Sequence, residues 1–271
     1  MNNAVISQEV IDSLTDFSSV KDKINCRLIN GERNAEYLSD KPHTMVDDLA
    51  VTYHIDLGET AQGHATTPVT NALMEMYGVS TQELHGVALS NMDTLSPPSF
   101  KSMSETMQEL IMPDMLSNGM SREEAADVIK TMFPPELDDG MYVLTNQRKH
   151  HGAAVMLSQK TMDEITEKVG KEYFILPSSI HEVLIVPKKE GMELSDLEGM
   201  VRDVNGTQVA LPEQLSDHVY AYDAKTHELV RADKVAERFA EKKPSINAEL
   251  SAPLPDKGIR TPKPRVAEAA R

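Results

Sequence analysis

The sequence contains no tryptophan, a single cysteine and only five phenylalanines. Each shortage excludes something. With Cys26 alone, no disulfide can close within the chain, and no cysteine-built zinc or iron–sulfur centre can form in it. No stretch approaches the roughly 18 consecutive apolar residues that mark a membrane-spanning helix, so no membrane partner is expected. The opening "MNNAVISQEVIDSL" has no basic segment leading into an apolar one, so it does not read as a secretory signal, and the expected setting is cytoplasmic. Positive charge is also scarce: 27 Lys and Arg against 43 Asp and Glu leave a net −16. A surface field of that sign repels phosphate backbones and anionic lipid, so no nucleic acid is expected as a partner. G-x-x-x-x-G-K-[ST], G-x-G-x-x-G and G-x-S-x-G are all missing, and no cofactor is expected.

What is present is an ordinary globular balance, 40% hydrophobic and 26% charged, with sixteen methionines standing in for aromatic bulk. Thioether side chains fill irregular gaps, which predicts an aliphatic, adaptable core. "INCRLIN" (24–30) alternates apolar and polar residues, and "LAVTYHID" (49–56) is rich in β-branched and aromatic types, so both read as strands. "ATTPVT" reads as a short strand that Pro68 pushes towards an edge. "TNALMEMYGV" and "STQELHGVALSNM" read as helices, the second capped by Ser80 with Glu83. "SFKSMSETMQELIM" is predicted helical up to Pro113, and "SREEAADVIKTMF" starts on a Ser121/Glu124 capping pattern and carries Ala125, Ile129, Met132 and Phe133 as one apolar stripe.

From Gly140 onwards a β-β-α-β-β unit is expected at about 140–187. "MYVLTN" and "AAVML" are its first two strands, "SQKTMDEITEKVG" its helix, and "EYFIL" and "EVLIVP" its last two strands. A further helix, "ELSDLEGMVRDVN", and a hairpin around Asp223–Thr226 complete the pattern. The expected class is α+β, with mainly antiparallel sheet and packed helices. One domain covers 1–243, and a division into lobes of about 16–135 and 136–243 is left open. The segment 244–271 has five prolines, no aromatic residue, and five Lys/Arg against three Asp/Glu, the composition of a disordered tail.

Three places could carry chemistry. Ser178, Ser179, His181 and Glu182 lie in "FILPSSIHEVLIVPKKEG" (174–191). Ser179 and His181 share a face of a continuous strand, as a nucleophile–base pair would. Ser179 and Glu182 equally fit S-x-x-E, a capped turn after Pro177. Arg148, Lys149, His150 and His151 in "NQRKHHG" form the tip of the expected hairpin, either a solubilising turn or an anion-binding one. His43 with Asp47 and Asp48 has the spacing of a divalent-ion site on a helix, and equally that of a cap or surface ion pair. "HEVLI" and "HELVR" begin like H-E-x-x-H but lack the second histidine, so zinc is not read there.

The strings "VKDKINCRLINGERNAEYLSDKPHTMVDDLAVTYHI", "TNALMEMYGVSTQELHGVALSNM", "MYVLTNQRKHHGAAVML", "YFILPSSIHEVLIVP" and "MVRDVNGTQVALPEQLSDHVYAY" together resemble one uncharacterised bacterial family. It is described only as a domain of unknown function and is common in anaerobic gut bacteria. The likeness spans about 16–233, and "LPSSIHEV" with "LTN…GAA" is its most specific part. A fainter likeness through "DLAVTYHID…T" points to a second uncharacterised bacterial family. The resemblance implies a bacterial intracellular setting and one family-wide unit, and it implies no activity or ligand. The expectation is a non-enzymatic binding or accessory protein with a protein partner. The alternatives are a serine hydrolase using Ser179 or Ser178 with His181, and a small-ligand or metal sensor.

Overall fold

The computed structural model describes residues 13–61, 63–133, 140–177 and 179–235. The proline-rich segment 244–271 and Ser178 lie outside the described residues.

The architecture is α+β with two antiparallel sheets. In the first, β1 (Ile24–Asn30) pairs along β3 (Leu49–Thr60), while β2 (His43–Val46) and β4 (Gly63–Pro68) divide the other side of β3 between them. The second sheet holds β5 (Pro98–Ser102), β6 (Tyr142–Asn146), β7 (Tyr173–Leu176), β8 (Val183–Pro187), β9 (Tyr220–Asp223) and β10 (Glu228–Arg231). Their order is β10-β9-β7-β8-β6-β5. The longer helices are α1 (Asn71–Tyr77), α2 (Thr81–Leu95), α3 (Met103–Ser117), α4 (Arg122–Met132), α5 (Gln159–Val169) and α6 (Leu194–Thr207).

Most of these helices begin where a hydroxyl can accept an orphan backbone N–H. Thr70, Ser80 and Ser158 do so for α1, α2 and α5, and Ser121 with Glu124 makes a complete capping box for α4. Gly170 ends α5 at φ 99°, a backbone conformation that glycine adopts without steric cost.

Period-2 alternation decides which face of the first sheet is apolar. Ile24, Cys26 and Leu28 of β1 and Val51, Tyr53 and Ile55 of β3 are buried, and Leu84, Ala88 and Met92 of α2 join them. The same core runs on through Ala153–Met156 into Leu144, Ile175, Val183 and Ile185 of the second sheet. Each Val, Leu, Ile or Met among them contributes about 1.5–3 kcal/mol on burial. The alternate residues of these strands, Asn25, Arg27, Thr52, His54 and Asp56, are polar and form the opposite face.

Four expectations are corrected. "AAVML" is no strand: Gly152–Leu157 forms a 3-10 turn buried between β6, α5 and β1, so the unit at 140–187 is strand, 3-10 turn, helix, strand, strand. A segment enclosed on all sides shows no alternation that would separate these possibilities. "PSFKS" is strand β5 rather than the start of a helix, and Ser102 with Glu105 supplies the capping box where α3 begins. Pro113 lies inside α3 rather than ending it. There Pro113 and Glu109, whose carbonyl loses its helical donor, are both exposed, so solvent can replace the bond. The stripe on α4 is also incomplete, because Ala125 and Ile129 are buried while Met132 is 52% exposed.

Candidate functional site

The serine–histidine joint makes a compact set of local bonds. Ser179 forms an isolated bridge to Gln214, and its Oγ accepts the His181 N–H at 3.0 Å. The turn is therefore closed two residues on, at His181, instead of at the exposed Glu182. The imidazole of His181 is occupied as well. Its Nδ1 accepts the His151 backbone N–H at 3.2 Å, and its Nε2 faces Glu213 Oε1 at 3.5 Å. A general base has to present a free nitrogen to its nucleophile. Both nitrogens of His181 face other groups, so this side chain works as a clasp between the 146–151 loop and the segment before β9.

His43, Asp47 and Asp48 do not converge either. They occupy β2 and the turn into β3 rather than a helix, and Asp47 adopts φ 54°. His43 Nδ1 lies 2.9 Å from the Lys41 carbonyl. Asp48 accepts from Ser216 Oγ at 2.7 Å and from Tyr220 OH at 2.5 Å, while Asp47 accepts from Arg231 N–H at 3.0 Å and Lys234 Nζ at 2.8 Å. These carboxylates fasten the first sheet to the end of the second. Among the described residues, only Glu198, His218 and Asp233 bring three metal-type ligands together. Both oxygens of Asp233 already face Arg231, at 3.0 and 2.5 Å, which leaves that group poorly placed for an ion.

The third candidate leads to a cavity. "NQRKHHG" is not a hairpin tip: it is the loop between β6 and the 3-10 turn, and it closes over the polar face of the first sheet. Lys149 and His151 take φ 53° and 51°, a region that costs a non-glycine residue on the order of 1 kcal/mol. Asn146 holds the loop through its Nδ2 to His150 O at 2.9 Å. Gly152 is required here, since a Cβ would come within 2.6 Å of both Asn146 N and His181 O. Arg148, His150 and His151 thereby line the cavity, whereas Lys149 turns away to Glu109 at 3.3 Å. Two histidines that would diverge on a strand are brought together by the left-handed turn, with rings 4.3 Å apart.

The cavity has a volume of about 490 Å3 and takes its remaining polar lining from β1, β3, β4 and Ser96. Four of the chain's nine histidines line it, and a volume of this size suits a small molecule. Cross-strand register explains the assembly: His54 lies opposite Asn25, Thr52 opposite Arg27, and Thr66 opposite Asp56, each pair on one face. At the rim His64 sits between two carboxylates, Nε2 at 3.1 Å from Asp56 and Nδ1 at 3.3 Å from Glu59. The His64 Nδ1 contact has ion-pair distance but not hydrogen-bond geometry. Arg148 stands 3.8 Å from Asp56 and 4.0 Å from Glu59.

The deeper end differs. His54 is only 6% exposed, and burial followed by the field of Arg27 pushes its pKa down to about 3. The same two causes, in the same order, take His151 down to about 3. Both imidazoles are therefore neutral near pH 7, and the Nδ1 of each is buried without a hydrogen-bond partner. Cys26 also borders the cavity, but burial pushes its thiol up to about 12, so it is no nucleophile at neutral pH.

Sequence reasoning named the 148–151 loop and missed Arg27, His54, Asp56 and His64, whose segments read simply as strands. A signal was available: Thr52, His54 and Asp56 recur at period 2 inside an otherwise apolar run. None of the described residues forms a helix long and apolar enough to cross a membrane. No curated protein and no solved structure gave a match. The family comparison did: residues 2–224 match a family model described as "Family of unknown function (DUF5688)", and the chain belongs to that family.

Proposed function

We propose that this chain is a binding protein without chemistry of its own, and that it holds a small polar molecule in the cavity between β1, β3, β4 and the 146–151 loop. The observation that carries this reading is the pair of orphaned imidazole nitrogens of His54 and His151 in a cavity of about 490 Å3. Buried polar atoms are normally satisfied, and each one left unmade costs about 1–3 kcal/mol. A ligand that supplies the missing partners recovers that energy on binding. This reading takes up the small-ligand alternative in place of the expected macromolecular partner. The joint at Ser179 and His181 supports the absence of serine chemistry, because its polar atoms close a turn and a clasp.

A thermal-shift panel of sugars, nucleosides, amino acids, small anions and divalent cations tests the proposal on the full chain. A true ligand at a hundredfold excess over its Kd stabilises by about 2.7 kcal/mol, a clear rise in Tm. A panel with no hit speaks against a small-molecule site, and covalent labelling of Ser179 by a serine-reactive phosphonate refutes the non-enzymatic part.

A further inference from the structure

Arg27 is the charged group of the cavity that no carboxylate of the described residues contacts. It lies in the middle of β1, and its guanidinium, which stays charged, has five N–H donors. It makes one side-chain hydrogen bond among the described residues, Nη2 to Thr66 Oγ1 at 2.6 Å. No carboxylate of the described residues comes within 4.0 Å of it. Asp56, the acid whose field acts on it, is already engaged by His64 at 3.1 Å and by the Gly58 N–H at 2.8 Å. The acidic groups of the cavity already face His64 and Arg148. A guanidinium partly withdrawn from water without a counter-ion bears part of that desolvation cost, and a ligand anion offsets it.

The neighbouring histidine is set to help. Thr52 Oγ1 lies 3.2 Å from His54 Nε2 and 3.5 Å from the Arg27 carbonyl, so its single proton has two acceptors within reach. When that proton goes to Nε2, the imidazole proton sits on Nδ1, the atom that is buried and unpartnered in the cavity. A half-buried guanidinium fork beside a neutral N–H donor is a receptor for oxygen anions.

Building on the small-ligand reading above, we propose that the molecule bound in this cavity carries an oxyanion, a carboxylate or a phosphate, seated on Arg27 and hydrogen-bonded by His54 Nδ1–H. The acidic surface of the chain disfavours anions in general, so the selectivity belongs to this one site. The acidic rim of Asp56 and Glu59 then faces the rest of the ligand and favours hydroxyl or amino groups there.

Isothermal titration of the full chain with inorganic phosphate, with acetate and with neutral glycerol, at constant ionic strength, tests the inference. The expected result is one-to-one binding of phosphate or acetate but not glycerol, weakened at least tenfold in Arg27→Met and severalfold in His54→Phe. The stronger of the two anions identifies the head group. Equal binding by wild type and Arg27→Met means an adventitious ion only and overturns the assignment. If neither anion binds while a neutral or cationic compound of the panel does, the oxyanion is refuted and the cavity reading survives. If nothing binds, both fall. Should Arg27→Met fail to fold by circular dichroism, His54→Phe carries the same comparison.

Discussion

The serine–histidine joint and the cavity lie on either side of Gly152, and both bring histidine next to polar side chains. They differ in what is left over. At the joint, Ser179 Oγ and both nitrogens of His181 face partners supplied by the fold. In the cavity, His54 Nδ1 and His151 Nδ1 do not, and the half-buried Arg27 guanidinium is bonded to one side chain only, Thr66. Short polar motifs in sequence therefore say little about function until their hydrogen bonds are counted. A serine–histidine pair that closes a turn is accounted for by the fold, while a strand whose polar face is buried and unsatisfied is a candidate site.

The largest effect expected from this contrast is on acid stability. The pKa of His54 is lowered by folding, from 6.5 to about 3, so the unfolded chain takes up a proton that the native one refuses. Stability is accordingly complete above about pH 6.5 and falls as the pH drops towards 3, by about 1.4 kcal/mol per pH unit from this residue alone. Urea unfolding between pH 7 and 4 should show that slope, and His54→Phe should reduce it. An unchanged slope would mean that His54 titrates normally. Next comes Gly152→Ala, which forces a Cβ against the backbone of Asn146 and His181 and disturbs both regions together. A loss of about 3 kcal/mol is expected, read as a fall in Tm of roughly 10 °C. Ser179→Ala should cost about 1 kcal/mol, the worth of one turn hydrogen bond, and leave ligand affinity unchanged. A loss of binding there would move the site to the joint. Arg27→Met completes the contrast with a gain: removing a charge that lacks a counter-ion should stabilise the ligand-free chain by up to about 1 kcal/mol in urea.

Much of the fold was legible because alternation and capping are local. β1 has the predicted bounds, β6 to β10 fall on the apolar runs, and the caps at Ser80, Ser121 and Ser158 accept the bonds read for them. The failures share a cause. The 3-10 turn Gly152–Leu157 is enclosed on every side, and β5 is a five-residue strand bordered by a helix cap, so neither has a period of its own. The site was half legible. "NQRKHHG" was named for its charge, but its convergence depends on left-handed residues at Lys149 and His151 and on the space left by Gly152. Arg27 and His54 were invisible as a pair, because what joins them is the β1–β3 register, which places Thr52 opposite Arg27 and His54 two residues further along the same face.

The central claim is that the cavity, not the joint, receives the ligand. Histidine-ring NMR of the full chain, titrated with the compound that gives the largest rise in Tm in the thermal-shift panel, tests it most directly. The account predicts that the signals of His54 and His151 move together along one binding curve while those of His43 and His227 stay fixed. If every signal stays in place, or if only histidines outside the cavity move, the account is contradicted.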